Sequence, residues 1–260
     1  MMAPRVLSGT TRLAGIIGWP VAHSRSPRLH GFWLDRHGID GAYVPLPVRP
    51  ENLAAAVRAL RDLGFRGGND TLIFGDDGTI TGANTDGSGF VAGLAQHVPG
   101  FSLADGPAVL LGAGGGARAV AAALRDAGCP EVVLLNRTRA RAEALAATLG
   151  AGVTVGEWGA ADALGRAALL VNTTSLGMKG QPPLDLALAA LPPAAVVADI
   201  VYVPRITALL DAAAARGHRT MGGLPMLLHQ ARIGFSRWFG VMPEVDDALA
   251  SFVAGDIPER

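Results

Sequence analysis

The sequence predicts an α/β fold in two domains, and three observations carry that expectation. Short apolar runs that read as buried strands alternate with stretches of helical periodicity along most of the chain, the pattern of successive β–α units. One such run, Val109-Leu110-Leu111, stops abruptly at Gly112 and restarts as helix. The last two helical stretches, 226–239 and 245–253, are apolar enough to fold back onto the beginning of the chain. We therefore expect residues 1–100 with 225–260 to form an α/β substrate domain. Residues 101–224 are expected to form a Rossmann-like domain, with a cleft between the two.

Taken in order, 13–18 reads as a short buried strand. Ser26-Pro27 supplies an N-cap followed by Pro at the first helical position, opening a helix through about residue 37. Residues 42–48 alternate as a second strand. Pro50-Glu51 starts another helix, in which Leu53, Val57, Leu60 and Leu63 recur at helical spacing before Gly64 ends it. Two β–α units in succession predict a parallel sheet. Thr71-Leu72-Ile73-Phe74, the turn Gly75-Asp76-Asp77-Gly78 and Thr79-Ile80-Thr81 form a hairpin signal, and 89–97 reads as a helix. The second series has strands at 108–111, 132–135, 168–171 and 196–200, with a weak one near 153–155. Its helices fall near 117–127, 140–149 and 206–216.

Composition narrows the function classes. The 260 residues are half apolar and 17% charged with zero formal net charge, which suits a soluble globular protein and argues against a nucleic-acid or anionic-membrane partner. Cys129 is the single cysteine, so no intramolecular disulfide and no cysteine-rich metal site is expected. The six histidines lack metal-ligand spacing, and no metal is predicted. No signal-peptide core and no membrane-length apolar run occurs, which makes cytoplasm the expected location. Of the 22 basic residues only Lys179 is a lysine.

Gly112, Gly114 and Ala117 match G-x-G-x-x-A, a turn that brings backbone N–H groups and a helix N-terminus against a dinucleotide pyrophosphate. The run Val132-Val133-Leu134-Leu135 then ends in Asn136-Arg137-Thr138, where an NAD site usually carries an acid for the ribose hydroxyl. No acid is present. Arg137 and Arg139 offer forked donors for a phosphate, so the site reads as NADP(H). Ser24 and Ser26 put two hydroxyls at a strand-to-helix junction, a place that holds carboxylates well, although plain capping explains Ser26 equally. Asn84-Thr85-Asp86-Gly87 offers a carboxylate in what could equally be an ordinary Asx turn. Asn172-Thr173-Thr174-Ser175-Leu176-Gly177-Met178 lies at the carboxyl end of an expected strand, where open α/β sheets bind ligands. His229-Gln230 sits in an apolar helix, and the Gln needs a partner or a cavity.

These segments (HSRSP, GANTDG, GAGGGARA, NRT, NTTSLGM, the run Asp199-Ile200-Val201-Tyr202-Val203-Pro204, and Met226-Leu227-Leu228-His229-Gln230) occur in the order found in the shikimate dehydrogenase family, which the chain resembles over nearly its whole length. The resemblance implies NADPH-dependent reduction of 3-dehydroshikimate to shikimate in the aromatic amino-acid pathway, by a monomer or homodimer. By position, Ser24 and Ser26 resemble the pair that binds the substrate carboxylate, Asp86 the acid of a catalytic Lys–Asp pair, and Tyr202 and Gln230 residues of the substrate pocket. The turn Gly112-Ala113-Gly114-Gly115-Gly116-Ala117 resembles the dinucleotide cradle. Asn136, Arg137 and Thr138, with Arg141, resemble a 2′-phosphate clamp. Thr174 and Met178 resemble residues near the nicotinamide, and Gly223 joins the cofactor set.

One departure stands against these matches. In the family, the strand written here Phe65-Arg66-Gly67-Gly68-Asn69 continues as N-V-T-x-P-x-K, then a helical segment, then an A-x-N-T strand. This chain passes directly from Gly68-Asn69 to Asp70-Thr71-Leu72. The catalytic lysine, the following helix and one substrate-contacting Asn are missing as a block. Asn69, a candidate substrate ligand, matches the Asn of either flanking motif. Lys179, outside the motif position, reads as a solvated loop residue. Two further readings stay open: an NAD-dependent quinate/shikimate dehydrogenase, which Arg137 opposes, and a non-catalytic NADP-binding relative, which the missing block favours.

Overall fold

The structure, a computed structural model, describes residues 6–69 and 71–260. The chain divides into two compact units: residues 1–85 with 230–255, and 86–229 with 256–260. The division falls before α3 (Asp86–His97), not near residue 100. The reason is local packing: Gly87 lies so close to α4 (Gly115–Asp126) that a Cβ there would sit 2.3 Å from the Ala119 carbonyl oxygen. Among the described residues no helix is long and apolar enough to cross a membrane.

The first unit holds β1 (Arg12–Gly18), α1 (Ser26–Arg36), β2 (Gly41–Pro47), α2 (Leu53–Asp62), β3 (Phe65–Gly68), β4 (Leu72–Phe74) and β5 (Ile80–Gly82), in sheet order β2-β1-β3-β4-β5. β1 pairs parallel with β2 and β3, as the β–α alternation requires. β3 then pairs antiparallel with β4 through Gly67↔Ile73 and Gly68↔Leu72, leaving only residues 69–71 as the connection. The parallel pattern is therefore broken at this connection. Asp70 lies outside the described residues. Thr71 beside it has φ 55°, a costly conformation for a β-branched residue. Gly67 is equally constrained, since a Cβ there would lie 1.9 Å from the Leu72 carbonyl oxygen.

Two local expectations need correction. Arg25, not Ser26, occupies the N-cap of α1; Ser26 and Pro27 are its first helical residues, and the Ser24 hydroxyl accepts the Ser26 N–H at 3.3 Å. In α2 only Leu60 is buried, whereas Leu53 and Leu63 are exposed, so helical spacing alone overstated its apolar face.

The core of this unit is aromatic. His30 stacks on Tyr43 at 4.0 Å and lies against Trp33, Phe235 and Trp238, and among the described residues its Nδ1 has no hydrogen-bond partner. Burial lowers its pKa from 6.5 to about 3. The unfolded chain thus takes up a proton that the native state refuses, and stability is full above 6.5 and lost progressively between 6.5 and 3. We expect a loss of about 1.4 kcal/mol between pH 7.5 and 5.5 from this residue alone. Urea unfolding at both pH values checks it: His30→Phe should remove that part of the acid sensitivity, and an unchanged difference would refute the assignment.

The second unit carries a six-stranded parallel sheet of β6 (Ala108–Leu111), β7 (Val132–Leu135), β8 (Val153–Gly156), β9 (Leu169–Asn172), β10 (Val196–Asp199) and β11 (Arg219–Met221), in order β11-β10-β9-β6-β7-β8. Ala108, Leu110, Val132, Leu134, Leu169, Val171, Val196 and Ala198 enter one apolar cluster, and the intervening residues enter the other. Both faces are covered, by α3, α4 and α5 (Arg139–Leu149) on one side, which is why these strands read as continuous apolar runs. The short α6 (Ala161–Gly165) and α7 (Ala208–Ala215) pack on the other side. α8 (Leu224–Phe239) begins in this unit and passes into the first at Gln230; α9 (Asp247–Ala254) completes the first.

Candidate active site

The glycine turn follows from the end of β6. Gly112 donates its N–H to the Leu135 carbonyl at 2.8 Å and has φ 112°. A Cβ there would meet Thr173 Oγ1 at 2.9 Å, so conformation and space both demand glycine. Ala113 leads to Gly114, which caps α4 in an extended conformation with no side chain answering the first-turn N–H groups. A Cβ at Gly114 or Gly115 would meet nothing within 4 Å: the space before the helix is open. Gly116 and Ala117 do the packing instead. A Cβ on Gly116 would lie 2.8 Å from Ile200 Cδ1, and Ala117 is fully buried. Open space, free N–H donors and a helix dipole fit a diphosphate.

At the end of β7, Asn136 donates its amide to the Thr138 carbonyl at 2.7 Å and folds the loop over α5. Arg137 and Arg141 are exposed and make no side-chain hydrogen bond or ion pair among the described residues. Arg139 is different: it donates to Glu143 at 2.7 Å and to Glu157. The expected Arg137–Arg139 pair is therefore corrected to Arg137 with Arg141. The Thr138 hydroxyl does not cap α5 and stays available beside them.

The carboxyl ends of β9 and β10 carry a buried polar network that sequence reasoning passed over. Asn172 and Asp199 are register partners. Asp199 accepts from Asn172 Nδ2 at 3.0 Å, Val201 N–H at 2.9 Å and the Thr207 hydroxyl at 2.7 Å. Burial pushes its carboxyl up to about 6, against the pull of these three donors. Asn172 Oδ1 in turn accepts from the Thr174 N–H and hydroxyl, at 3.0 and 2.7 Å. Met178 projects from the same loop, partly exposed, and Lys179 is an exposed loop residue whose N–H bonds the Val203 carbonyl. Tyr202 is half-buried just beyond Ile200. Gly223 owes its place to close approach, since a Cβ would sit 2.1 Å from the Ile200 carbonyl oxygen. The missed signal was an acid closing an apolar run, beside an Asn closing the next.

In the first unit, the parallel pairing of β1 and β3 puts Ser24, Ser26 and Asn69 beyond the same carboxyl edge of the sheet. Ser24 is half-buried, and the buried Ser26 has no hydroxyl partner among the described residues. The Asn69 side-chain oxygen accepts the Ile17 N–H at 2.7 Å, which commits half of that amide to the strand and leaves its NH2 for a ligand. Thr85 bonds Gln230 Oε1 at 3.3 Å and the Thr71 hydroxyl at 3.1 Å, so Gln230 is tied to the residue preceding Asp86. Asp86 itself is half-buried and opens α3.

Comparison with known proteins bears on these arrangements. Residues 16–74 match the family model described as shikimate dehydrogenase substrate binding domain, and residues 93–170 match shikimate / quinate 5-dehydrogenase. The chain is 53% identical over 281 positions to a shikimate dehydrogenase (NADP(+)) of Rhodospirillum rubrum, covering 96% of this chain and 99% of that protein. It is likewise 53% identical to that of Paramagnetospirillum magneticum, covering 95% and 99%. An alignment of 281 positions that uses 96% of 260 residues opens gaps in this chain. Among solved structures, shikimate 5-dehydrogenase from Thermus thermophilus in complex with NADP(H) and shikimate is 33% identical with a TM-score of 0.82, over 94% of this chain and 99% of that one. Quinate dehydrogenase from Corynebacterium glutamicum in complex with NAD is 28% identical with a TM-score of 0.86, again over 94% and 99%.

Proposed function

This chain belongs to the shikimate dehydrogenase family, and from that premise we propose that it interconverts 3-dehydroshikimate and shikimate with NADP(H), at a rate cut by the missing lysine segment. The observation that carries the reading is the open glycine turn, Gly112 to Ala117, flanked at the end of β7 by the uncommitted Arg137 and Arg141. Gly114 and Gly115 leave room for the diphosphate, and Asn136, Arg137, Thr138 and Arg141 hold the 2′-phosphate. NADPH supplies the hydride when bound. Ser24 and Ser26 bind the substrate carboxylate, with Asn69, Tyr202 and Gln230 around the ring hydroxyls. Asp86 holds the proton destined for the C3 oxygen, without the lysine that shares this work in the family. A biosynthetic step of this kind belongs in the cytoplasm.

The non-catalytic reading keeps one specific support: β3 turns straight into β4 where the family inserts its lysine-bearing segment. The uncommitted arginines favour NADP(H) over the NAD-linked quinate alternative.

Titration calorimetry tests the assignment apart from turnover. The protein should bind both NADPH and shikimate, and Ser26→Ala should weaken shikimate about tenfold while leaving NADPH within about twofold, as expected for loss of a hydrogen bond to a charged group. Equal loss of both ligands, or no loss of either, would remove Ser26 from the substrate site.

A further inference from the structure

The loops that the Asp199 network holds lie against the glycine turn at Gly112 and Gly116. Thr173 and Thr174, on the loop after β9, are the atoms a Cβ on Gly112 would meet, at 2.9 and 3.0 Å. Ile200, adjacent to Asp199, is what a Cβ on Gly116 would meet at 2.8 Å. Asp199 is only 1% exposed, and its two oxygens accept three bonds at the root of these loops: one from Asn172 under the β9 loop, one from the backbone of Val201, and one from Thr207 at the start of α7. Backbone bonds from Ile200 to Asn172 and from Lys179 to Val203 join the same two loops. Thr207 is itself the N-cap of α7, so the β10 loop is anchored at both ends.

Sheet order fixes which part of a ligand this affects. β7, with Arg137 at its end, lies on one side of β6, and β9 and β10 lie on the other. A dinucleotide lying across the glycine turn with its 2′-phosphate at β7 extends its other half over β9 and β10. We infer that Asp199 is a positioning residue that locks the 173–178 and 200–207 loops against the glycine turn and so shapes the nicotinamide half of the site. The inference rests on the NADP(H) reading above. Asp199 touches no ligand; it acts through Thr174 and the backbone that carries Tyr202. An apolar strand end would tolerate Ala or Val at this position more cheaply than a buried acid, and only the three donors it gathers explain the carboxylate.

The test separates the two halves of the cofactor. Dissociation constants for NADPH and for adenosine 2′,5′-bisphosphate, which lacks the nicotinamide, are measured on the full chain with its Asp199→Ala, Asp199→Asn and Thr207→Val variants. Asp199→Ala should weaken NADPH about tenfold or more and the bisphosphate by less than about twofold. Asp199→Asn should recover NADPH to within about threefold of wild type, because its oxygen can accept from Asn172 and Val201 while its NH2 donates to the Thr207 hydroxyl. Thr207→Val should show the same split at smaller amplitude, and it decides the matter if Asp199→Ala does not fold. Unchanged NADPH affinity in the variants, or equal loss of both ligands, overturns the inference. A wild-type protein that binds neither ligand overturns the NADP(H) reading instead, and the inference with it.

Discussion

Protein whose intact mass confirms 260 residues should bind NADPH normally yet reduce 3-dehydroshikimate about 10²–10⁴-fold more slowly than a family member carrying the lysine segment, the usual cost of losing one positioned proton donor. The loss is confined by the fold. β3 and β4 close on each other through Gly67↔Ile73 and Gly68↔Leu72, so the first unit keeps its sheet without the crossover. The second unit is built entirely from later residues and keeps its cradle. The expected loss is of chemistry at the substrate, together with part of the wall that would orient it. Stopped assays with both substrates at saturation measure this directly. Inserting a relative's segment between Gly68 and Thr71 should restore turnover and relieve the positive φ at Thr71. Family-like turnover from the 260-residue chain as it stands would defeat the account.

Arg137→Ala should weaken NADPH about 10–100-fold while changing NADH less than about twofold, the range for a charge-assisted bond to phosphate. Arg139→Ala should do neither, because its guanidinium is already spent on Glu143 and Glu157. Binding titrations of both cofactors against the two variants decide it. Parallel losses for NADPH and NADH in Arg137→Ala would mean that the side chain touches something other than the 2′-phosphate.

β6 and β7 were legible because each is short, buried on both faces and bounded by Gly, Pro or a polar residue, and both fall where the apolar runs predicted. β11 was not legible. Arg219-Thr220-Met221 has no apolar run, and its identity as a strand comes from backbone pairing with β10. α6, five residues long, offers too little periodicity to read. The same divide runs through the site. Each glycine of the turn could be placed from sequence, since the strand–turn–helix pattern that marks it is contiguous in the chain. Asp199 could not, because its meaning depends on Asn172 in an adjacent strand. Arg139 was misread although the signal was there: Glu143 stands four residues on, the spacing of a helical ion pair.

The division of the chain also imposes an order on its synthesis. All six strands of the second unit have left the ribosome once Met221 emerges, and that sheet can close at once. The first unit began earlier and must wait longer. Phe235 and Trp238, which pack on His30, Trp33 and Tyr43, and Phe239, which packs on Phe235, are made about 200 residues later. Until they arrive, Trp33, fully buried in the finished protein, lacks its edge-on contact with Phe235. The nascent chain therefore carries the aromatic face of His30, Trp33 and Tyr43 uncovered until α8 follows, and the unit begun first is closed after the second sheet is complete.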